Sequence, residues 1–220
     1  KQTPKTLILD MVHHNPGDPK YVSKYNNPEY VSKEGYNGKV YFLFDSPTLA
    51  ISWKSLDKDI LPEGSKERQW VDEKAADIRK NLAACKKNGI SALAQADMVL
   101  FPKKLVEAYG IDKIMGDPRQ PLIKKLIQTQ IKETFEQFPD LDGLVVRIGE
   151  TYLHDAPYHS GDIRQKRNID ETIVPLIELL REEICVKHNK KLIFRTWMSF
   201  EHADVYEKVD AAIEPHGNMV

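Results

Sequence analysis

Residues 143–161, GLVVRIGETYLHDAPYHSG, decide how the chain is read. They open as an apolar run, Leu144, Val145 and Val146, and within a few positions set down Arg147, Glu150, Tyr152, His154, Asp155, Tyr158 and His159. An apolar run without strict alternation predicts a strand covered on both faces, as in parallel sheets. A buried strand that ends in so many groups able to do chemistry predicts that function lies at its C-terminal end.

Five further runs read the same way: TLILDMV (6–12), KVYFLFD (39–45), ISALAQAD (90–97), KLIFRTW (191–197) and AAIEPH (211–216). Between them lie helical patterns. Trp70, Ala75, Ile78, Leu82 and Cys85 recur at helical spacing and stop at Asn88-Gly89; Leu122, Leu126, Ile127, Ile131 and Phe135 recur likewise and stop before Pro139. Ile173, Leu176, Leu180 and Ile184 mark a third helix, which Pro175 predicts to start late or to kink. Strands alternating with such helices predict β/α units and a parallel sheet.

The polar residues gather where strands end: Asp10, His13 and His14 after the first, Asp45 after the second, Asp97 after the third, Glu150 after the fourth, Arg195 and Trp197 after the fifth, Glu214 and His216 after the sixth. That distribution predicts a TIM-type (β/α)8 barrel, whose active site is built from the C-terminal ends of its strands. A closed barrel takes eight strands and about 250 residues. With six runs in 220 residues, the chain is either a shorter open α/β sheet or a fragment, and the expectation is the fragment: a single catalytic domain over 1–220 that holds the first six β/α units and is incomplete at its C-terminus.

Composition narrows the partners. Lys plus Arg number 32 against 33 Asp plus Glu, a net charge of -1, so no global field favours nucleic acid or an anionic membrane. No apolar run approaches the ~18 residues of a membrane span, and KQTPKTLILD has no signal-peptide core. A soluble chain is expected, compatible with a secreted or periplasmic protein whose leader has been removed. Cys85 and Cys185 lie in helical patterns without a CxxC pair and read as buried free thiols. No GxGxxG, GxxxxGK[ST] or GxSxG occurs, so neither nucleotide binding nor serine hydrolase chemistry has a motif, and no cofactor is expected.

Glu150 is the sharpest candidate for chemistry. A carboxyl at a strand end among apolar residues and tyrosines is suited to a raised pKa and a general acid's role, although pairing with Arg147 would make it structural. Arg147 and Arg195 lie in apolar strands and must meet an anion, because an unpaired buried charge is costly. That anion is either a protein carboxylate (Glu150, Asp97 or Glu214) or the carboxylate or phosphate of a substrate, which the guanidinium fork fits bidentately. Trp197, Tyr152 and Tyr158 serve as a platform for a sugar face or as packing. His13, His14, His154, His159 and His216 would suit a metal by residue type, but no HxH or HExxH spacing occurs and no metal is expected.

The stretch from NGISALAQADMVLFP through GDPRQPLIKKLIQTQIKETFEQFPDLDGLVVRIGETYLHDAPYHSG to KLIFRTWMSF, about residues 88–200, resembles in order and spacing the central barrel of glycoside hydrolase family 67, the α-glucuronidases. The resemblance implies that Glu150 is the general acid and that Arg147 and Arg195 stand where the family places the Lys and Arg that hold the uronate carboxylate. The family has three residues between that Lys and its Glu, whereas this chain has Ile148 and Gly149. It also implies that the water-activating carboxylates belong to strands beyond the sixth, so that the chain alone would be nearly inactive. An inverting hydrolase needs two carboxyl groups about 6.5–9.5 Å apart with a water between them.

Together these readings give a carbohydrate-active hydrolase that needs no cofactor. Asp10, His14, Asp97, Trp197 and His216 would line its pocket, with Tyr152, His154 and His159 on the adjoining loop. Two rivals stand beside it. One is a metal-dependent barrel hydrolase using His13, His14, His154 and His216 with Asp97; the other is a barrel that binds carbohydrate without turnover.

Overall fold

The run ISALAQAD becomes β3 (Ser91–Asp97), the central strand of the sheet. A computed structural model describes residues 5–7, 27–41, 46–147, 156–161, 169–194 and 205–220. On one side of β3 lie β2 (Tyr36–Tyr41) and β1 (Lys5–Leu7); on the other lie β5 (Gly143–Arg147) and β7 (Lys191–Phe194). All four pairings are parallel, and each strand in sequence is added to the same side of the one before. Right-handed crossovers that always step the same way put their helices on one face and curl the sheet around the other.

That arrangement corrects the expected (β/α)8 barrel. The described strands form a curled, parallel half-barrel sheet, not a closed barrel. Five strands cannot close a ring that takes eight at the usual tilt.

The sheet's two faces follow from side-chain alternation. Ala92, Ala94, Ala96, Leu144, Val146 and Leu192 face the helices and share one buried core with them. Leu93, Val145 and Ile193 form a separate cluster on the other face. Helix α2 (Lys66–Lys87), which follows α1 (Pro28–Lys33), is capped by the Ser65 side chain, which accepts from the Arg68 N–H, and it buries Val71, Ala75, Ile78, Leu82 and Cys85 at helical spacing. It stops where sequence predicts, at Asn88, with Gly89 at φ 65° supplying the left-handed turn.

Between β3 and β5 the chain makes β4 (Leu100–Pro102), α3 (Lys103–Tyr109) and α4 (Pro121–Gln137). Strand β4 pairs antiparallel with β6 (His159–Gly161), so part of what reads as an irregular loop is a strand. Helix α5 (Ile169–Leu180) contains Pro175 in its interior and runs into π-helical turns over Arg181–Lys187, where the His188 N–H bonds the Glu183 carbonyl five residues back. The helix therefore does not start late at Pro175.

The predicted sixth strand is also corrected. Residues 211–216 hold the end of α6 (Val205–Ala212) and the turn after it. Ala211 and Ala212 favour helix, Pro215 has no N–H for a ladder, and Ile213 is buried in the helix-side core. A fifth parallel pairing lies a few residues later: Asn218 and Val220 exchange backbone hydrogen bonds with Leu192 and Phe194, and Met219 bridges Leu192.

Candidate functional site

Polar groups converge where β3 and β5 end. Asp97, the last residue of β3, is completely buried and stands in register with Arg147, the last residue of β5. By alternation both positions belong to the face that carries Leu93 and Val145, one layer nearer the C-terminal edge.

The backbone at this edge is fixed by a polar network that the sequence reading missed. The Asp97 N–H donates to Ser46 Oγ at 3.3 Å, and Thr48 Oγ1 donates to the Asp97 carbonyl at 3.0 Å. The two hydroxyls lie 2.9 Å apart. Gln130 of α4, fully buried, donates through Nε2 to the carbonyls of Thr48 and Leu100, both at 3.1 Å, and so ties the segments after β2 and β3 to one side chain. One turn on, the buried Glu133 carboxylate accepts from the N–H groups of Trp53 (2.8 Å) and Ser55 (2.7 Å) and from Ser55 Oγ. This holds Trp53, fully buried, in the left-handed region at φ 59°.

Gln130, Glu133 and Gln137 fall at i, i+3 and i+7, and each bonds the 48–55 segment. The available signal was that Gln130, Glu133 and Gln137 recur at helical spacing on one face.

Of the other sequence-predicted residues, His159 is described and is buried in β6, opposite Pro102, with its ring 5.5 Å from that of Trp70. Burial, helped by the nearby Lys103 charge, lowers its pKa to about 4. It is a packed, neutral imidazole in a short strand, where a loop residue was expected. His216 is also displaced. It precedes the pairing at 218–220, beside Asn218, whose side chain bonds Asn189 just before β7. That is the N-terminal edge of the sheet, away from Asp97. Glu150, Arg195, Trp197, Asp10, His14, Tyr152 and His154 lie outside the described residues, as does the side chain of Arg147.

No protein-family model matches the chain, and no curated protein does. Among solved structures it is similar to a GH138 enzyme targeting pectin rhamnogalacturonan II, with a TM-score of 0.47 and 17% identity over 92% of this chain. The chain spans 22% of that enzyme's length.

Next to the edge, the loop before α4 is held by Asp117, whose carboxylate takes two hydrogen bonds from the Arg119 guanidinium, at 2.9 and 3.1 Å. These, against a smaller cost of burial, lower the Asp117 pKa to about 2. Arg119 also reaches Glu171 at the start of α5, at 3.6 Å. Among the described residues no three His, Cys, Asp or Glu side chains come together where they could hold a metal ion, and no helix is long and apolar enough to cross a membrane.

Proposed function

We propose that the chain is the sugar-binding and acid-bearing part of a glycoside hydrolase of α-glucuronidase type, with the C-terminal edge of the half-barrel as its carbohydrate pocket. The observation that carries the reading is the burial of the Asp97 carboxylate at the end of β3, in register with Arg147 on β5. Burying a charge at a strand end is expensive unless other groups at that site answer it. Asp97 suits sugar hydroxyls as an acceptor, and an arginine in register with it suits an anionic group.

In this reading Glu150, three residues beyond Arg147, protonates the leaving glycosidic oxygen. Arg147 and Arg195 clamp the uronate carboxylate through their planar forks. Asp97, Trp197, Asp10 and His14 line the pocket and take sugar hydroxyls or a ring face, with Tyr152 and His154 on the adjoining loop. The protein's share of the chemistry is orientation and a well-placed proton.

Calorimetric titration with glucuronic acid and, separately, glucose tests this. The uronate is expected to bind, the neutral sugar much less, and Arg195→Ala to weaken the uronate by about tenfold or more, as loss of a charge-assisted pair does. Absence of uronate binding by demonstrably folded protein would remove the acidic sugar from the reading. In a chain that also carries the water-activating carboxylates, Glu150→Gln should keep that affinity while abolishing hydrolysis of an α-glucuronide with an alkyl or sugar leaving group, since the amide keeps the shape and lacks the proton such a leaving group needs. Equal turnover by both forms would overturn the assignment of the acid.

A further inference from the structure

We propose that Gln130 is a positioning residue of the strand-end pocket: it holds closed a strained turn at Val99 that sets where the Asp97 carboxylate stands; this rests on the reading above. Only Met98 and Val99 separate β3 from β4. Val99, buried, lies in the left-handed region at φ 63°, where a β-branched side chain is crowded by the backbone. A turn of that kind persists only where the groups around it leave the chain no other course.

Those groups stand on both sides of Val99. Before it, the Asp97 N–H donates to Ser46 Oγ, and the Asp97 carbonyl accepts from Thr48 Oγ1. After it, the Leu100 carbonyl accepts from Gln130 Nε2 at 3.1 Å. The same amide nitrogen holds the Thr48 carbonyl, so one side chain of α4 closes a ring of bonds that runs from Asp97 through Thr48 to Leu100. Met98 and Val99 are caught inside that ring. Gln130 Oε1, fully buried with the rest of its residue, has no hydrogen-bond partner among the described residues. An unsatisfied buried acceptor costs stability, so the use of this amide lies in its two donated bonds. Without them Val99 is free to relax to a negative φ, and Asp97 turns with the chain. A carboxylate displaced by about 1 Å no longer meets a ligand that other groups hold in place.

The test separates position from stability. Gln130→Met keeps the length of the side chain and removes both donors. It should lower the urea midpoint, move the NMR signals of Asp97 and Val99, and weaken glucuronic acid about tenfold or more in calorimetric titration. Adding Val99→Gly lets the turn form without steric cost. In the double variant the affinity and the Asp97 signal should return close to their native values, while the urea midpoint stays below the native one, since glycine restores neither lost bond. Thr48→Val breaks the ring on the other side of Val99 and supplies the same comparison, with and without Val99→Gly, if Gln130→Met does not fold. Native affinity in Gln130→Met, or a loss that Val99→Gly leaves in place, would overturn the proposal and make Gln130 a purely structural residue. A native chain that binds no glucuronic acid, with the Asp97 and Val99 signals still moving and returning, would overturn the pocket instead and leave Gln130 as the residue that positions Asp97.

Discussion

Folding takes the His159 imidazole out of water and sets it against Trp70, and neither ring nitrogen has a hydrogen-bond partner. Protonating it there is costly, which is why its pKa falls from 6.5 to about 4. The unfolded chain therefore takes up a proton near pH 6.5 that the folded chain refuses until about pH 4, and stability should fall through that window, by about 3 kcal/mol if the whole shift is expressed. Urea unfolding at pH 7 and pH 4 should show the loss in the native protein and much less of it in His159→Phe. At pH 7 that variant should match or exceed the native stability, because it removes two unpartnered buried polar atoms. An unchanged pH slope in the variant would assign the loss to other groups. Asp117 titrates with the opposite logic: its carboxylate is held down by Arg119, so its contribution is present above pH 3.8 and is lost only as the pH falls toward 2. The two windows do not overlap. Glu133 gives a third test at this scale. Truncation to alanine orphans the Trp53 and Ser55 N–H groups and releases a left-handed tryptophan, so the urea midpoint should drop by the equivalent of about 3 kcal/mol. A midpoint within error of the native one would show that the 48–55 segment does not depend on it.

At the level of elements, β5 meets β7 through Gly143, where an added Cβ would collide with the Lys191 carbonyl and lie 2.7 Å from Lys191 Cβ. The two backbones cannot part without breaking their ladder, so Gly143→Ala should destabilise by about 2 kcal/mol or more in chemical denaturation, although alanine ordinarily suits a strand better than glycine does. Equal stability would mean that the strands are not so closely apposed. Such contacts are invisible in the letters, whereas β3 and the first two long helices were legible because their signals are local. ISALAQAD is apolar between turn signals, and Asn88-Gly89 and Pro139 stop helices by backbone chemistry alone. The sixth strand was misplaced because Ala-Ala-Ile suits a helix end as well as a strand, and only packing against α5 decides between them. His159 and His216 lie where their letters did not show, His159 in β6 and His216 before the 218–220 pairing. Sequence distance from a strand end says nothing of which edge a residue occupies, and His216 belongs to a helix-to-strand return. Asp97 was legible as the final residue of an unambiguous strand, while Gln130 and Glu133 act through bonds to backbone 30–82 residues away.

For the whole molecule, strands added in one direction put β3 at the centre of the sheet between β2 and β5, and β7 beyond β5 with Ile193 and Phe194 only half-buried. Helices pack one face throughout, and Lys190 fastens the approach to β7 by donating to the carbonyls of Pro139 and Leu141. The three backbone bonds that join residues 218–220 to β7 are therefore peripheral to a sheet already tied together elsewhere. Hydrogen exchange should find the amides of Ala94 and Ala96 among the slowest, opening only with global unfolding, and those of Leu192 and Phe194 faster. Removing residues 218–220 should strip protection from Leu192 and Phe194, whose N–H groups bond Asn218 and Val220, at a cost of roughly 1 kcal/mol per bond lost, and leave β3 nearly unchanged. If protection of β3 fell by as much as that of β7, the half-barrel would be one cooperative unit from edge to edge. The ends of β3 and β5 would then depend on contacts far from them. The local outcome is the expected one, because the Ser46, Thr48 and Gln130 bonds that fix the end of β3 involve no residue of β7 or beyond.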